Sequence, residues 1–193
     1  MMPAPSIGRK IQIIGAISSG KSTTASRIAL RLGLSYIELD AVRHQTGWVE
    51  KTDNEFTADV FSTIDRAGNG WVVAGNYFSI LDLSLISRAE TVVWLRIPFR
   101  WTLFRLFIRT VRRLWTREQL WNGNRESWRV SFFSRNSILL EAIRKAPGRQ
   151  RRERAILQRL SPQPAVIELT SFRQIDHFVE SLPQQQRLSL TLE

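Results

Sequence analysis

Residues 15 to 22 read GAISSGKS, with Thr23 following, and their types and spacing suit a backbone cradle for a chain of phosphates. The pattern GxxxxGK[ST] is satisfied throughout. Gly15 and Gly20 allow a main-chain course that residues with a Cβ resist. The turn between them aims the amides of Ser18, Ser19, Gly20, Lys21, Ser22 and Thr23 at one point, where the positive end of the following helix adds to their effect. An anion belongs there. Lys21 supplies a mobile charge for β- and γ-phosphates, and the Ser22 hydroxyl is the expected ligand of Mg2+. Gly15 to Gly20 do not spell GxGxxG, which separates this loop from a dinucleotide fingerprint.

Asp40 is the second group of interest. It closes SYIELD (35 to 40), a segment expected to be a strand, and open parallel sheets bind ligands at the carboxyl ends of their strands. A carboxylate there orients a metal-bound water or accepts the proton of an attacking hydroxyl; its plainer role is to cap the turn before Ala41. Third comes a run of cations, Arg105, Arg109, Arg112, Arg113 and Arg117, then Arg125 and Arg129. At helical spacing the first four share one broad side, leaving Leu103, Leu106, Phe107, Val111 and Leu114 to turn toward a core. Arginines on a mobile element stabilise charge spreading over a transferring phosphoryl group. Trp101, Trp115, Trp121 and Trp128 interleave with them, as lid packing or as cover for a base; stacking on single-stranded nucleic acid is the weaker reading. His44 and His177 show no ligand spacing and receive no role.

These groups need elements to hold them. KIQIIGA (10 to 16) reads as a buried strand, and Ala25, Ile28, Ala29 and Leu32 then follow helical spacing up to Gly33, placed as a cap. A helix is expected over 53 to 67 with Asp53 as its N-cap and Gly68 and Gly70 closing it. WVVAG (71 to 75), TVVWLRI (91 to 97) and PAVIELT (164 to 170) read as further strands. Long helices are expected at about 99 to 114 and 135 to 160, separated by WTREQLWNGNRESW. Strands alternating with helices predict an α/β chain, a three-layer α/β/α arrangement around a five-stranded parallel sheet.

Composition narrows the classes. The chain has 193 residues, 43% of them apolar and 23% charged, which fits one globular domain over 1 to 193. It has no cysteine, so disulfide scaffolds, zinc ribbons, iron–sulfur clusters and thiol nucleophiles fall away. The start, MMPAPSIGRKIQIIGA, shows no secretory pattern, and a cytoplasmic setting is expected. Arg96, Arg100, Arg105 and Arg109 interrupt the most apolar stretch and exclude a bilayer span; no membrane partner is expected. Net charge is +11, and it is uneven: residues 96 to 159 hold 17 basic against four acidic side chains, while the remainder holds 11 against 13. Arginine outnumbers lysine 24 to 4, which favours bidentate contact with phosphate or carboxylate.

The order of these segments resembles the adenylate-kinase-like P-loop kinases, and within them the bacterial topology modulation proteins. GAISSGKSTTASRIALRLGL is similar to the group's Walker A opening, YIELDAVRHQTGW to its segment with LD and Trp, GWVVAGNY to its third strand, RAETVVWLRIP to its fourth, and RTVRR with WNGNRESW to its arginine-rich lid. The resemblance implies a P-loop NTPase fold with a helical lid at about 110 to 135 and ATP with Mg2+ as cofactors. It also implies Lys21 and Ser22 as phosphate and magnesium contacts, and Arg109 and Arg113 as lid arginines. A carboxylate commonly ends the third strand before GNY; here Ala74 stands in its place, so catalysis is less secure than nucleotide binding.

The expected function is therefore an ATP-dependent phosphotransferase acting on a nucleotide- or nucleoside-like acceptor, with Lys21, Asp40, Arg109 and Arg113 as its catalytic set. The alternative is a nucleotide-gated nucleic-acid-binding protein using the cationic segment on phosphates and catalysing little. A GTPase lacks its NKxD element. Residues 41 to 80 form no specific acceptor signature, and no residue pattern sets the oligomeric state.

Overall fold

Five strands form one sheet: β1 (Lys10–Gly15), β2 (Ser35–Glu38), β3 (Trp71–Ala74), β4 (Thr91–Leu95) and β5 (Ala165–Leu169). Their order is β2-β3-β1-β4-β5, and every pairing is parallel. The computed structural model describes residues 7–116, 121–124, 142–144 and 146–184. Strands covered on both faces must be apolar on both, which is why KIQIIG and TVVWL are near-continuous hydrophobic runs.

Alternation along each strand divides the core in two. Ile11, Ile13, Val93 and Leu95 pack with Ala25, Ile28 and Ala29 of helix α1 (Lys21–Leu32), and with Ile175, Phe178 and Val179 of helix α7 (Phe172–Ser181). Ile14, Val73, Val92 and Trp94 pack with Phe56, Val60 and Ile64 of α3 (Asp53–Asp65), and with Leu157 of α6 (Arg149–Gln158). Short α2 (Leu39–Arg43) and α4 (Phe78–Leu81) follow β2 and β3, and α5 (Phe99–Thr116) follows β4. Because the sheet is parallel, β1, β2, β3 and β4 all release their chains at the same edge. That edge holds the site.

The five strands and α1 lie where the sequence places them, and α1 ends as expected, with Gly33 left-handed and its amide donating to the Ala29 carbonyl. Four expectations are corrected. β2 stops at Glu38, and Asp40 occupies the first turn of α2 rather than a strand end. Helix α3 is capped by Thr52, not Asp53: the Thr52 side chain accepts from the Glu55 amide while the Glu55 carboxylate accepts from the Thr52 amide, a reciprocal box that satisfies two orphan donors. The helix expected from 135 to 160 does not run through Pro147 and Gly148; the left-handed Gly148 starts α6 afresh. On α5 the buried face is Thr102, Leu106 and Thr110, while Phe107 is exposed and Val111 half-buried. Most of the lid expected at 110 to 135 lies outside the described residues, including Arg117, Arg125 and Arg129.

Candidate active site

The loop leaves β1 through Gly15, whose φ is +148°; a Cβ there would lie 2.6 Å from the Leu95 carbonyl oxygen. Ser18 and Gly20 are also left-handed, at φ +59° and +97°. This course keeps the loop amides off the helix ladder until the Thr24 amide donates to the Gly20 carbonyl at 2.9 Å. Lys21 folds back over the loop, its Nζ donating to the Gly15 and Ala16 carbonyls at 3.1 and 2.9 Å. Burial holds this ammonium below the usual lysine range, against the opposing pull of Asp40 and Glu38; Arg149 is the arginine that bears most on it. The Ser18 and Ser19 hydroxyls are buried and have no hydrogen-bond partner among the described residues. Orphaned donors beside a ring of amides are what a phosphate would satisfy.

Glu38 is the acid that sequence reasoning missed. It ends β2 directly opposite Ala74, the position from which the expected carboxylate is absent. Its buried side chain accepts from the Tyr36 hydroxyl and lies beside Ser22 of the loop, and burial still pushes its carboxyl above the usual range. Asp40 lies two residues on and accepts from the Tyr77 hydroxyl at 2.8 Å. Leu39, between the two acids, is fully buried against Gly75, where a Cβ would approach Leu39 within 2.9 Å. That close approach seats β2's end on β3 and brings both carboxylates to the loop. A carboxylate pair two residues apart at a strand end was visible in SYIELD; that the strand stops at the first acid was not.

A second network holds the loop's entry. The Asn76 side chain pairs with both main-chain groups of Gly15, accepting from its amide at 3.1 Å and donating to its carbonyl at 3.0 Å. Asn76 also donates to Glu153 at 3.3 Å, and the Trp94 indole donates to the other Glu153 oxygen at 2.7 Å. Burial holds the Glu153 carboxyl above its usual range. These contacts join residues 59 to 77 positions apart in sequence, and no local pattern announces them.

The other expected residues separate into those at the loop and those elsewhere. Gly15, Ser18, Ser19, Gly20, Lys21, Ser22 and Thr23 form the loop, with Thr23 exposed. Arg109 and Arg113 lie one turn apart on α5, both half-buried. Trp121–Gly123 with Asn124 reaches the segment after α2: Asn124 donates to the Gln45 carbonyl at 2.8 Å and accepts from the Trp48 amide at 2.9 Å, while Asn122 donates to the Ala41 and His44 carbonyls. Arg43 is engaged by Glu50 at 2.8 Å and Asp53 at 2.7 Å.

A divalent cation fits the residues present. Ser22 and Glu38 place a hydroxyl and a carboxylate together beside the loop, with Asp40 close behind. No three His, Asp or Glu side chains cluster for a metal among the described residues. One or two protein oxygens with phosphates and waters is the donor set magnesium takes, rather than an all-protein cage.

No protein-family model and no curated protein matches the chain. Solved structures do. A shikimate kinase from Bacteroides thetaiotaomicron aligns over 89% of this chain and 94% of its own, at 15% identity and a TM-score of 0.52. The Thermus thermophilus protein TT1252 aligns over 91% and 94%, at 16% identity and a TM-score of 0.51. At such identities the likeness is one of fold: a five-stranded parallel sheet with flanking helices, as in P-loop kinases.

Proposed function

We propose that the chain is an ATP-dependent, magnesium-requiring cytoplasmic kinase of the adenylate-kinase-like group, within which its motifs stand nearest the topology modulation proteins. It transfers the γ-phosphoryl group to a hydroxyl of a nucleoside- or nucleotide-like molecule. The observation that carries this reading is the convergence of Lys21, Ser22, Glu38 and Asp40 on the phosphate loop. The shared fold with a shikimate kinase supports it.

The loop amides of Ser18 to Thr23 bind and orient the triphosphate. Lys21 exchanges its two carbonyl acceptors for β- and γ-phosphate oxygens, and its charge is strongest where water is excluded. Ser22 and Glu38 would hold Mg2+, which supplies charge neutralisation to the β- and γ-phosphates when bound. Glu38 thereby takes the part of the carboxylate that Ala74 lacks. Asp40, held by Tyr77, orients the acceptor hydroxyl and receives its proton. Arg109 and Arg113 close over the transferring group. Arg43 already donates to Glu50 and Asp53, so an acceptor phosphate would have to displace those carboxylates to reach it, which favours the nucleoside over the nucleotide. A screen with labelled ATP across nucleosides, nucleoside monophosphates and polyols, beside Lys21→Ala, tests the reading. Label should reach a nucleoside hydroxyl in the wild type only; background hydrolysis without transfer, or transfer undiminished in the variant, overturns it.

A further inference from the structure

Helix α5 carries its apolar side chains mainly on the face turned away from the fold. Thr102, Leu106 and Thr110 turn inward and are buried. On the reverse side, at intervals of three, four and seven residues, stand Trp101, Phe104, Ile108 and Trp115, which are 50%, 57%, 49% and 84% exposed. At 100° per residue these four occupy a sector of about 60°, centred opposite the buried face. Arg100 borders the stripe on one side, and Arg112 borders it on the other together with Arg105, whose guanidinium lies 4.3 Å from the centre of the Phe172 ring. Between Phe99 and Thr116 there are five arginines and no acidic residue. An isolated exposed tryptophan needs no explanation; a continuous apolar stripe edged by cations does.

We propose that this face of α5 docks on an anionic lipid surface, with the helix lying in the plane of the bilayer. Trp101, Phe104, Ile108 and Trp115 enter the boundary between headgroups and acyl chains, and Arg100 and Arg112 meet the lipid phosphates. The arginines that forbid a bilayer span are the groups an interfacial helix uses. The stripe is about 21 Å long, short of the roughly 30 Å hydrocarbon core, and no described helix is long and apolar enough to cross a membrane. Charge selects this occupant over the others. A second copy would set the three bordering arginines against three with no acid of the helix between them. A single-stranded nucleic acid stacks on rings, and Ile108 at the middle of the stripe offers none. The inference stands apart from the kinase reading, because none of the stripe residues belongs to the phosphate loop or its acids.

Co-flotation of the full chain with vesicles tests it, using phosphatidylcholine alone and phosphatidylcholine mixed with phosphatidylglycerol. The wild type should float with the anionic vesicles and not the neutral ones, and rising salt should release it. Trp101→Ser combined with Ile108→Ser should weaken that binding by about tenfold or more, since apolar insertion and charge act together. Leu30→Ser, a control at an isolated exposed leucine of α1, should change nothing. If the double variant does not fold, Trp115→Ser at the most exposed position serves in its place. No binding to anionic vesicles overturns the proposal. So do equal binding by the stripe variants, a dimer that the same substitutions dissociate, and binding to a single-stranded oligonucleotide that the same substitutions abolish.

Discussion

Lys21 and the two acids near it separate binding from chemistry. The lysine supplies the one cationic side chain seen donating to the loop carbonyls among the described residues, so truncating it removes a preorganised charge without emptying a core site. Lys21→Ala should lower turnover by about 10² or more, read as kcat/KM for ATP in a coupled assay. Glu38→Gln and Asp40→Asn should fail differently. Loss of the Glu38 carboxylate should raise the magnesium concentration needed for half-maximal rate. Loss of Asp40 should instead reduce kcat by about 10² to 10⁴ with the magnesium titration unchanged, as for removal of a general base. Equal shifts in the magnesium titration would sink the division of labour. The loop was legible in the sequence because its function is written in eight consecutive residues. Glu38 was not, because the loop it lies beside is distant in sequence and only the register of β2 against β3 shows that it stands opposite Ala74.

Elements matter through what they clamp. Helix α6 brings Glu153 under Trp94 and Asn76, and Asn76 in turn fixes both main-chain groups of Gly15. Glu153→Ala leaves a buried indole N–H and one of the two Asn76 side-chain N–H groups without an acceptor, and should cost about 1–3 kcal/mol in chemical denaturation. The pH dependence has a definite sign. Burial raises the Glu153 carboxyl in the folded state above 4.5, so the native chain holds that proton more tightly than the unfolded chain. Its contribution to stability is therefore fully present below the unfolded value and declines as pH rises through the folded one. Measured against Glu153→Gln, which does not titrate, the wild type should gain stability as the pH is lowered from 7 toward 5; a constant difference would show that the carboxyl is ionised throughout. None of this was readable beforehand. The strands and α1 were, because unbroken apolar runs and a 3.6-residue period are local signals. The faces of α5 were misassigned for the converse reason: its covered side holds Thr102 and Thr110 while Trp101, Phe104 and Ile108 are exposed, so apolarity does not mark the buried face.

At the scale of the molecule, the site and the core are one object. β1 runs through the centre of the sheet and ends as the phosphate loop, which then becomes α1 and packs on both β2 and β3. A ligand held by the loop is thus attached to the most buried strand, and its binding energy should appear in global unfolding rather than in a local transition. For a single site at one hundred times the dissociation constant, mass action adds about 2.7 kcal/mol. A chain of this length moves its midpoint by roughly 2–4 °C per kcal/mol, so MgATP should raise Tm by about 5–10 °C in one cooperative step. Lys21→Ala should unfold near the wild-type temperature alone, because the lysine's hydrogen bonds are to loop carbonyls, yet lose most of the increment with nucleotide. A biphasic melt in which only the second phase responds to MgATP would detach the loop from the β1 core, and with it the argument that binding and folding share one strand.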